Sequence, residues 1–173
     1  YQPVFDSYSK IFSSPKDISL IPSLYNSLSA TKRPIGSRVV ENSVFNSDKL
    51  RYAYVDLNED SVEELIIGVQ QSDGSYSISG IYYLENDKPI LLSEGYVAGQ
   101  GGARNTTTIY KGGEVLELSW SSGTGEGRGV LYQLNPNQKA ASIVKEQDIK
   151  VPGNNYLHDI FGKSESDIIN IRR

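Results

Sequence analysis

Two short apolar segments flank a loop dense in oxygen-bearing side chains, and this stretch constrains the fold more than any other part of the chain. The first segment, Tyr52–Val55, and the second, Leu65–Val69, are rich in aromatic and β-branched residues that favour strands. The loop between them carries Asp56, Asn58 and Asp60 at alternate positions. The stretch therefore predicts two neighbouring strands, buried in the core, with an acidic loop between them.

The sequence after residue 49 predicts a succession of strands joined by tight turns. Residues 75–84 alternate in the manner of a half-buried strand, with aromatic and aliphatic side chains on one face. Asp73-Gly74 and Gly112-Gly113 are dipeptides that favour two-residue hairpin turns. Pro136-Asn137 predicts a final hairpin near residue 137. This pattern is typical of an antiparallel sheet.

Apolar side chains recur at helical spacing near the N-terminus. Val4, Tyr8 and Ile11 lie three or four residues apart, and Pro3 stands where a helix can begin. A second amphipathic helix is expected over residues 17–28. The chain therefore begins with helices and continues with strands.

We predict an α+β fold with N-terminal helices packed on a curved, mainly antiparallel β-meander of about seven strands. The length of 173 residues suits a single domain over residues 1–173. Its expected parts are a helical segment over residues 1–30, a sheet over residues 50–148 and a closing segment over residues 149–173. In the closing segment Ser164 resembles a helix N-cap.

Composition and charge narrow the classes of function. The formal net charge is −4 and no basic block stands out, which argues against a nucleic-acid partner. No apolar run approaches the roughly 18 residues of a transmembrane helix. Membrane contact is therefore expected only through an N-terminal lipid anchor that precedes this sequence. The absence of Cys excludes disulfides and thiol chemistry.

The acidic loop predicts a calcium site. Alternate positions of the loop carry an oxygen ligand, namely Asp56, Asn58, Asp60, the Val62 carbonyl and Glu64. Calcium takes about six to eight oxygen ligands, and alternate residues of a tight loop can direct their oxygens at one centre. Without a cation the three carboxylates would repel one another, and binding would relieve that repulsion.

Two departures separate this loop from an EF-hand. Ile67 stands where an EF-hand has its last glutamate, and Ser61 stands where it has a glycine that makes the sharp bend. The same residues also suit a second interpretation, in which Asp and Asn side chains build a polar turn through their own hydrogen bonds. Both alternatives place the flanking strands in the core.

Two glycine-rich segments, residues 99–104 and 119–129, form a second candidate site. Their spacing fits no phosphate-binding loop, so hairpin turns between strands are the expected structure. If both loops lie at one end of the sheet, their side chains would line a cleft for a small polar ligand, a peptide or a glycan. The residues concerned are Arg104, Trp120, Glu126 and Arg128.

Catalytic constellations are not evident in the sequence. His158 is the single histidine, and no G-x-S-x-G elbow is present. A zinc enzyme would need more nitrogen or sulfur donors than the chain offers. We therefore expect His158 to be structural or exposed and the protein not to be an enzyme. A hydrolase based on paired carboxylates such as Glu63-Glu64 is the least favoured alternative.

Several motifs resemble those of a family of uncharacterised secreted and lipoprotein-anchored domains of Gram-positive bacteria. Residues 52–68 are similar to its loop Y-A-x-x-D-[IL]-[DN]-x-D-G-x-x-E-L-I-I-G, with Ser61 in place of the glycine. The opening Y-Q-P-V-F-D-S-Y and the later G-Q-G-G-A-R, I-Y-K-G-G-E-V and S-S-G-T-G-E-G are similar to its first helix and later hairpins. The resemblance implies an extracellular α+β domain near the cell wall, with acidic positions at Asp56, Asn58, Asp60 and Glu64.

The favoured expectation is a non-catalytic exported domain, secreted or anchored at the cell surface as a lipoprotein, with a structural calcium ion. The alternative is a binding module for cell-wall glycan, peptide or host protein. Such a module would use a Tyr-rich sheet face or the Gly-rich loops, since the chain has twelve Tyr whose rings and hydroxyls suit half-buried surfaces.

Overall fold

The computed structural model describes residues 1–13, 46–95, 97–98, 102–151 and 160–171. Within these ranges one helix, α1 (Gln2–Phe12), precedes nine strands, and a 3-10 turn (Glu165–Asp167) follows them. The strands are β1 (Leu50–Val55), β2 (Glu64–Gln70), β3 (Tyr76–Glu85), β4 (Lys88–Glu94), β5 (Val97–Ala98), β6 (Ala103–Tyr110), β7 (Glu114–Ser121), β8 (Glu126–Asn135) and β9 (Lys139–Lys150).

Helix α1 forms because its apolar residues share one face and a proline opens its first turn. Pro3 lies at the helix start, where its missing N–H leaves no hydrogen bond unmade. Val4, Tyr8 and Ile11 are buried and pack in one cluster with side chains of β2 and β3. Each fully buried apolar side chain contributes about 1.5–3 kcal/mol, so this face holds the helix on the sheet.

Strands β1 to β4 form one antiparallel sheet in chain order. Strand β2 is buried along nearly its whole length. Alternate side chains of a strand point to opposite faces of the sheet, and each face of β2 packs in a different hydrophobic cluster. Leu65 and Ile67 pack with α1. Ile66 packs instead in the core shared with the second sheet.

Strands β5 to β9 form a second antiparallel sheet, also in chain order. One of its faces meets the first sheet in a core that includes Ile81 and Tyr83 from β3 with Ile109 and Val115. A third cluster gathers side chains of β6, β7 and β8 with Phe161 from the C-terminal part. The edge strand β9 is exposed along most of its length.

The hairpin turns fall at the predicted dipeptides. Gly112 and Gly113 both have positive φ, at 79° and 77°, but Tyr110 pairs with Glu114, so this connection is longer than the predicted two-residue turn. Gly74 has a φ of 83° in the turn before β3, which is also longer than two residues, since Gln70 pairs with Tyr76. Asn137 has positive φ, at 61°, between β8 and β9. The positions of these turns were therefore readable from the sequence, but the two-residue length was wrong.

The expectation of a single meander of about seven strands is wrong, whereas the coarser α+β assignment agrees with the structure. After β4 the chain leaves the first sheet at Gly95, whose N–H donates to the Ser79 carbonyl at 3.0 Å, and it then builds a second sheet. The continuous apolar run Leu65–Val69 gives the physical reason, because a strand buried on both faces needs a layer on each side.

The predicted second helix and the single histidine fall in parts of the chain that the structure does not describe. Residues 17–28 and His158 lie outside the described residues. Ser164 does cap the 3-10 turn, since its hydroxyl accepts the Ser166 N–H at 3.3 Å. Within the described ranges, no helix has the length and apolar character needed to cross a membrane.

Candidate functional site

The acidic loop between β1 and β2 is folded by its own carboxylates. Asp56 accepts the Asp60 N–H at 3.1 Å on one oxygen and the Ser61 N–H at 2.9 Å on the other. Asp60 accepts the Val62 N–H at 2.8 Å. These bonds tie positions four and five residues after Asp56 back to the start of the loop, which closes it into a compact turn.

Two residues of the loop adopt the left-handed backbone conformation that favours glycine. Glu59 has a φ of 60° and Ser61 a φ of 70°. A non-glycine residue in this region costs roughly 1–2 kcal/mol. Ser61 therefore makes the bend that the sequence comparison with an EF-hand assigns to glycine, and it does so under strain.

The loop is also attached to the second sheet. The second carboxylate oxygen of Asp60 accepts the N–H of Asn137, in the turn between β8 and β9, at 2.8 Å. Asn58 lies against Gly113, where an added Cβ would stand 2.6 Å from the Asn58 Cβ. Leu57 is buried in the core between the sheets. The loop is thus a junction between the two sheets.

Glu64 is the most buried acid of the loop, with 3% of its surface exposed. Its carboxylate accepts the Leu57 N–H at 2.9 Å. Burial raises the pKa of Glu64 to about 7, and the negative charges of Asp60 and Asp56 act in the same direction against the Leu57 hydrogen bond. The charges of Asp60 and Asp56 therefore disfavour the ionised form of Glu64.

One ligand atom of the loop has no partner among the residues that the structure describes. The Asn58 side-chain oxygen is buried and accepts no hydrogen bond from them, a state that costs about 1–3 kcal/mol. Among the described residues, however, no three His, Cys, Asp or Glu side chains form a group that could hold a metal ion. A cation here would have to draw on neutral oxygens in addition to carboxylates, namely those of Asn58, the Val62 carbonyl and water.

The glycine-rich end of the second sheet brings two of the predicted loops together. The Ser122 N–H donates to the Gly102 carbonyl at 2.7 Å. Arg104 and Trp120 are paired in register across β6 and β7. Their side chains share one face of the sheet, although the Arg104 guanidinium donates to its neighbouring Ala103 carbonyl at 2.9 Å.

Glu126 and Arg128 lie on the other face of this sheet. Trp120 pairs with Gly127, and alternate residues of a strand point to opposite faces, so the two neighbours of Gly127 face away from Trp120. Arg128 donates to Glu146 at 2.6 Å in an exposed ion pair. The predicted cleft residues therefore do not line one surface together.

The stretch around these residues is strand and not only turn. Strand β8 begins at Glu126, so two glycines of the predicted hairpin are strand residues. A Cβ on Gly129 would lie 2.4 Å from the Phe161 ring. A Cβ on Gly127 would lie 2.1 Å from the Ser119 carbonyl oxygen. These glycines serve close packing.

A groove that the sequence analysis missed opens between β3, β6 and the C-terminal part. Ser77 and Thr108 line it together with Asn170. The signal in the sequence is a run of hydroxyl residues, Ser75–Ser77 and Thr106–Thr108. Hydroxyl residues are common on exposed strands, and only the packing of one sheet on the other shows that these two runs border the same groove.

Comparison with protein-family models, curated proteins and solved structures finds no match to this chain.

Proposed function

We propose that this chain is a non-catalytic exported domain whose acidic loop takes up a structural calcium ion. The observation that carries the proposal is the buried, unpartnered side-chain oxygen of Asn58. It belongs to a loop in which the charges of Asp56 and Asp60 disfavour ionisation of the buried Glu64. A cation would satisfy the orphaned oxygen and offset the repulsion.

The donors present suit a hard cation. Asp56, Asn58, Asp60, the Val62 carbonyl and Glu64 would hold the ion, and water would complete the shell. The ion would supply positive charge and no reaction chemistry. Backbone N–H groups already orient the carboxylates of Asp56 and Asp60, in the way that ligating carboxylates are commonly oriented by further hydrogen bonds.

Two features of the chain support an extracellular setting, secreted or anchored at the cell surface. The chain contains no Cys, and its loop resembles that of secreted and lipoprotein-anchored domains of Gram-positive bacteria. Extracellular calcium modules bind with dissociation constants of about 10⁻⁴–10⁻³ M, so even a strained loop would be partly filled outside a cell.

Thermal unfolding in calcium and in chelator tests the proposal. With a dissociation constant of about 10⁻⁴ M, about 10 mM calcium would stabilise the fold by about 2.7 kcal/mol. For a chain of this length the melting temperature would rise by about 5–10 °C. Sodium chloride at matched ionic strength is the control, and an equal shift in that salt would argue against a specific site.

Asn58→Ala separates the calcium site from the polar-turn interpretation. If the oxygen of Asn58 is a ligand, the variant loses most of the calcium-dependent shift. If the loop is only a polar turn, removal of a buried unpaired acceptor leaves stability unchanged or higher, and the response to calcium does not change. The Cβ that contacts Gly113 remains in the variant, which limits other effects.

Exposed aromatic rings on β1 favour a second candidate, a binding module for cell-wall glycan, peptide or host protein. Tyr52 and Tyr54 are 61% and 43% exposed, with ring centroids 5.8 Å apart. Phe5 of α1 packs on Tyr52 at 5.2 Å, and Tyr1 approaches Tyr54 at 5.9 Å. A row of amphipathic rings at the edge of a sheet suits such a partner.

Co-sedimentation with purified peptidoglycan tests this candidate. The paired variant Tyr52→Ala and Tyr54→Ala is expected to lose most of the bound fraction. The matched control is Ile143→Ala with Val144→Ala, which removes two exposed apolar side chains from β9. Equal binding by both paired variants would show that the aromatic rings are not the binding surface.

A further inference from the structure

A pocket of about 250 Å³ opens on the inner face of the first sheet, which is the face that packs against the second sheet. Three neighbouring strands and the C-terminal part supply its apolar lining, namely Ala53 of β1, Ile66 and Gly68 of β2, Ile78 of β3 and Ile171. An apolar cavity of about 150 Å³ takes up benzene, so this pocket has room for a larger apolar group.

The strand registers place the lining residues of the three strands on one face. Ala53 pairs with Ile66, and Gly68 pairs with Arg51 on one side and with Ile78 on the other. Residues directly opposite each other in antiparallel strands share a face of the sheet, and so do alternate residues of one strand. These five residues therefore border one common space.

The pocket exists because small residues occupy its middle. Gly68 has no side chain, and its neighbour across β1 and β2, Ala53, has only a methyl group. The Tyr76 ring lies beside the empty position, with its Cβ and Cδ1 3.5 Å from where a Cβ of Gly68 would stand. Ile78 and Ile171 are only partly buried. An apolar ligand would remove their surface from water, which favours its binding.

Arg51 is the only charged residue among the described residues that line the pocket. Its Nη1 atom donates to the carbonyl oxygens of Asp48 and Leu50, at 3.0 and 2.7 Å. These bonds hold the guanidinium in place. Its Nε and Nη2 donors make no hydrogen bond or ion pair within the described part of the chain. They lie on one edge of the planar guanidinium, and such an edge can donate two parallel hydrogen bonds to a carboxylate.

We propose that this pocket binds a small carboxylate with an apolar body of about eight to ten carbons. The apolar body occupies the space over Gly68, and the carboxylate accepts hydrogen bonds from Nε and Nη2 of Arg51. The inference goes beyond the proposed function and does not involve the calcium loop. Tyr52 and Tyr54 alternate with Arg51 and Ala53 along β1, so their side chains point to the opposite face.

Titration of the intact chain with octanoate at about pH 7, where a carboxylate is ionised, tests the proposal by calorimetry and amide chemical shifts. We expect a dissociation constant of about 1 mM, with shifts at Gly68 and Ile66. Octanamide is expected to bind about fivefold more weakly, because it lacks the charge that pairs with the exposed Arg51. Octylamine, which carries a positive charge, is expected to bind more weakly still. A tripeptide that ends in leucine is the remaining probe.

Two variants test the charged and the apolar parts of the pocket separately. Arg51→Gln is expected to weaken binding of octanoate about fivefold and to leave binding of octanamide unchanged. In Gly68→Ala the new methyl group stands in the pocket at ordinary contact distances and without positive φ, so the variant is expected to fold normally. It is expected to weaken binding of both probes by about fivefold or more.

Two matched controls make the same kinds of change elsewhere. Lys150→Gln replaces an exposed cation of β9 by an amide, and Gly123→Ala adds a methyl group at an exposed glycine. Both positions lie outside the pocket. Both controls are expected to bind octanoate as the native chain does.

The outcomes distinguish this proposal from the proposed function. Binding of octanoate that neither pocket variant weakens would overturn the assignment of the site, and equal binding of octanoate, octanamide and octylamine would overturn the role of Arg51. Binding of the tripeptide at least as tight as that of octanoate would overturn the ligand class. No binding of octanoate at about 10 mM, where a millimolar site is mostly filled, would overturn the proposal and leave the calcium and peptidoglycan tests unaffected.

Discussion

The acidic loop and the glycine-rich end of the second sheet were both predicted as sites, and they turn out to be built in opposite ways. In the loop, the side chains of Asp56 and Asp60 determine the backbone conformation through four hydrogen bonds. At the glycine-rich end, the absence of side chains at Gly127 and Gly129 lets β7 and Phe161 approach closely. The conformation of the acidic loop depends on hydrogen bonds made by its side chains. The packing of the glycine-rich end depends on the absence of side chains at its glycines.

The same spacing in sequence brings side chains together in a loop but does not do so across neighbouring strands. Asp56, Asn58 and Asp60 are two residues apart in a turning segment, and they stay near one another because the chain curls around them. Trp120 and Arg128 belong to neighbouring strands, where pairing of Trp120 with Gly127 places Arg128 on the opposite face. In strands, the alternation of side chains between the two faces of the sheet therefore decides whether two residues lie on the same surface.

The largest expected effect comes from filling the space at Gly127. In Gly127→Ala the new Cβ would lie 2.1 Å from the Ser119 carbonyl oxygen and 2.5 Å from the Trp120 Cβ. Backbone cannot move aside as a flexible side chain can, so we expect a loss of about 3 kcal/mol or more in the free energy of unfolding. Urea unfolding monitored by Trp fluorescence measures it.

Gly123→Ala is the matched control in the same glycine-rich stretch. A Cβ there meets only the Ser121 hydroxyl at 3.8 Å, and the φ of Gly123 is not positive. The control is expected to change stability by less than about 1 kcal/mol in either direction. If both variants behave alike, these glycines provide flexibility and the contrast with the acidic loop is lost.

The second effect is a pH dependence that originates in the acidic loop. Glu64 has its pKa raised from 4.5 to about 7 by burial and by the charges of Asp60 and Asp56. Between these values the folded state keeps a proton that the unfolded chain has lost. The contribution of Glu64 to stability is therefore largest below pH 4.5, falls by about 2–3 kcal/mol as the pH rises to 7, and levels off above it.

Glu64→Gln is expected to remove most of this pH dependence, and calcium is expected to reduce it in the native protein because a cation favours the ionised carboxyl. Unfolding by urea at a series of pH values measures both. Glu117 is the comparison residue, since burial also raises its pKa against hydrogen bonds from Ser93 and Glu94. Ionisation of Glu117 also lowers the free energy of unfolding as the pH rises. Because Glu117 does not belong to the acidic loop, Glu117→Gln should leave the calcium-sensitive part of the pH dependence unchanged.

The third effect is a gain in stability at the strained bend of the loop. Ser61 has a φ of 70°, and Ser61→Gly removes the steric cost while adding freedom to the unfolded chain. We expect a net gain of about 1 kcal/mol. Ser72→Gly, at an exposed position without positive φ, is the control and should lose about 0.5–1 kcal/mol. A loss at Ser61 would mean that the bend is not strained.

Local signals in the sequence predicted a large part of the fold. The strand pattern of residues 75–84 corresponds to β3 (Tyr76–Glu85), and Gly112-Gly113 lies in a turn at the expected position. Such features depend on neighbours in the chain, which is why they are readable. The division into two sheets depends instead on the path of the chain after Gly95, and no local pattern encodes that path.

The candidate sites show the same limit. The bonds within the loop, such as Ser61 N–H to Asp56, are local and follow from Asp and Asn turn chemistry. The bond from Asn137 to Asp60 and the contact of Gly113 with Asn58 join residues far apart in sequence. The groove beside Tyr76 likewise requires knowledge of which strand edges meet. Sequence patterns could not predict these contacts, because they join residues that are far apart in the chain.

The smallest expected effect concerns the exposed ion pair at the glycine-rich end. Arg128 donates to Glu146 at 2.6 Å, and the pair lies at the surface. Exposed ion pairs contribute little because water screens the charges and two long side chains lose freedom, so Arg128→Ala should leave the free energy of unfolding nearly unchanged. Asp60→Ala, which removes the carboxylate that accepts the backbone N–H groups of Val62 and Asn137, should lower the free energy of unfolding clearly more under the same urea unfolding. If the order is reversed, side-chain contacts matter more at the glycine-rich end than in the loop, and the distinction between the two regions is wrong.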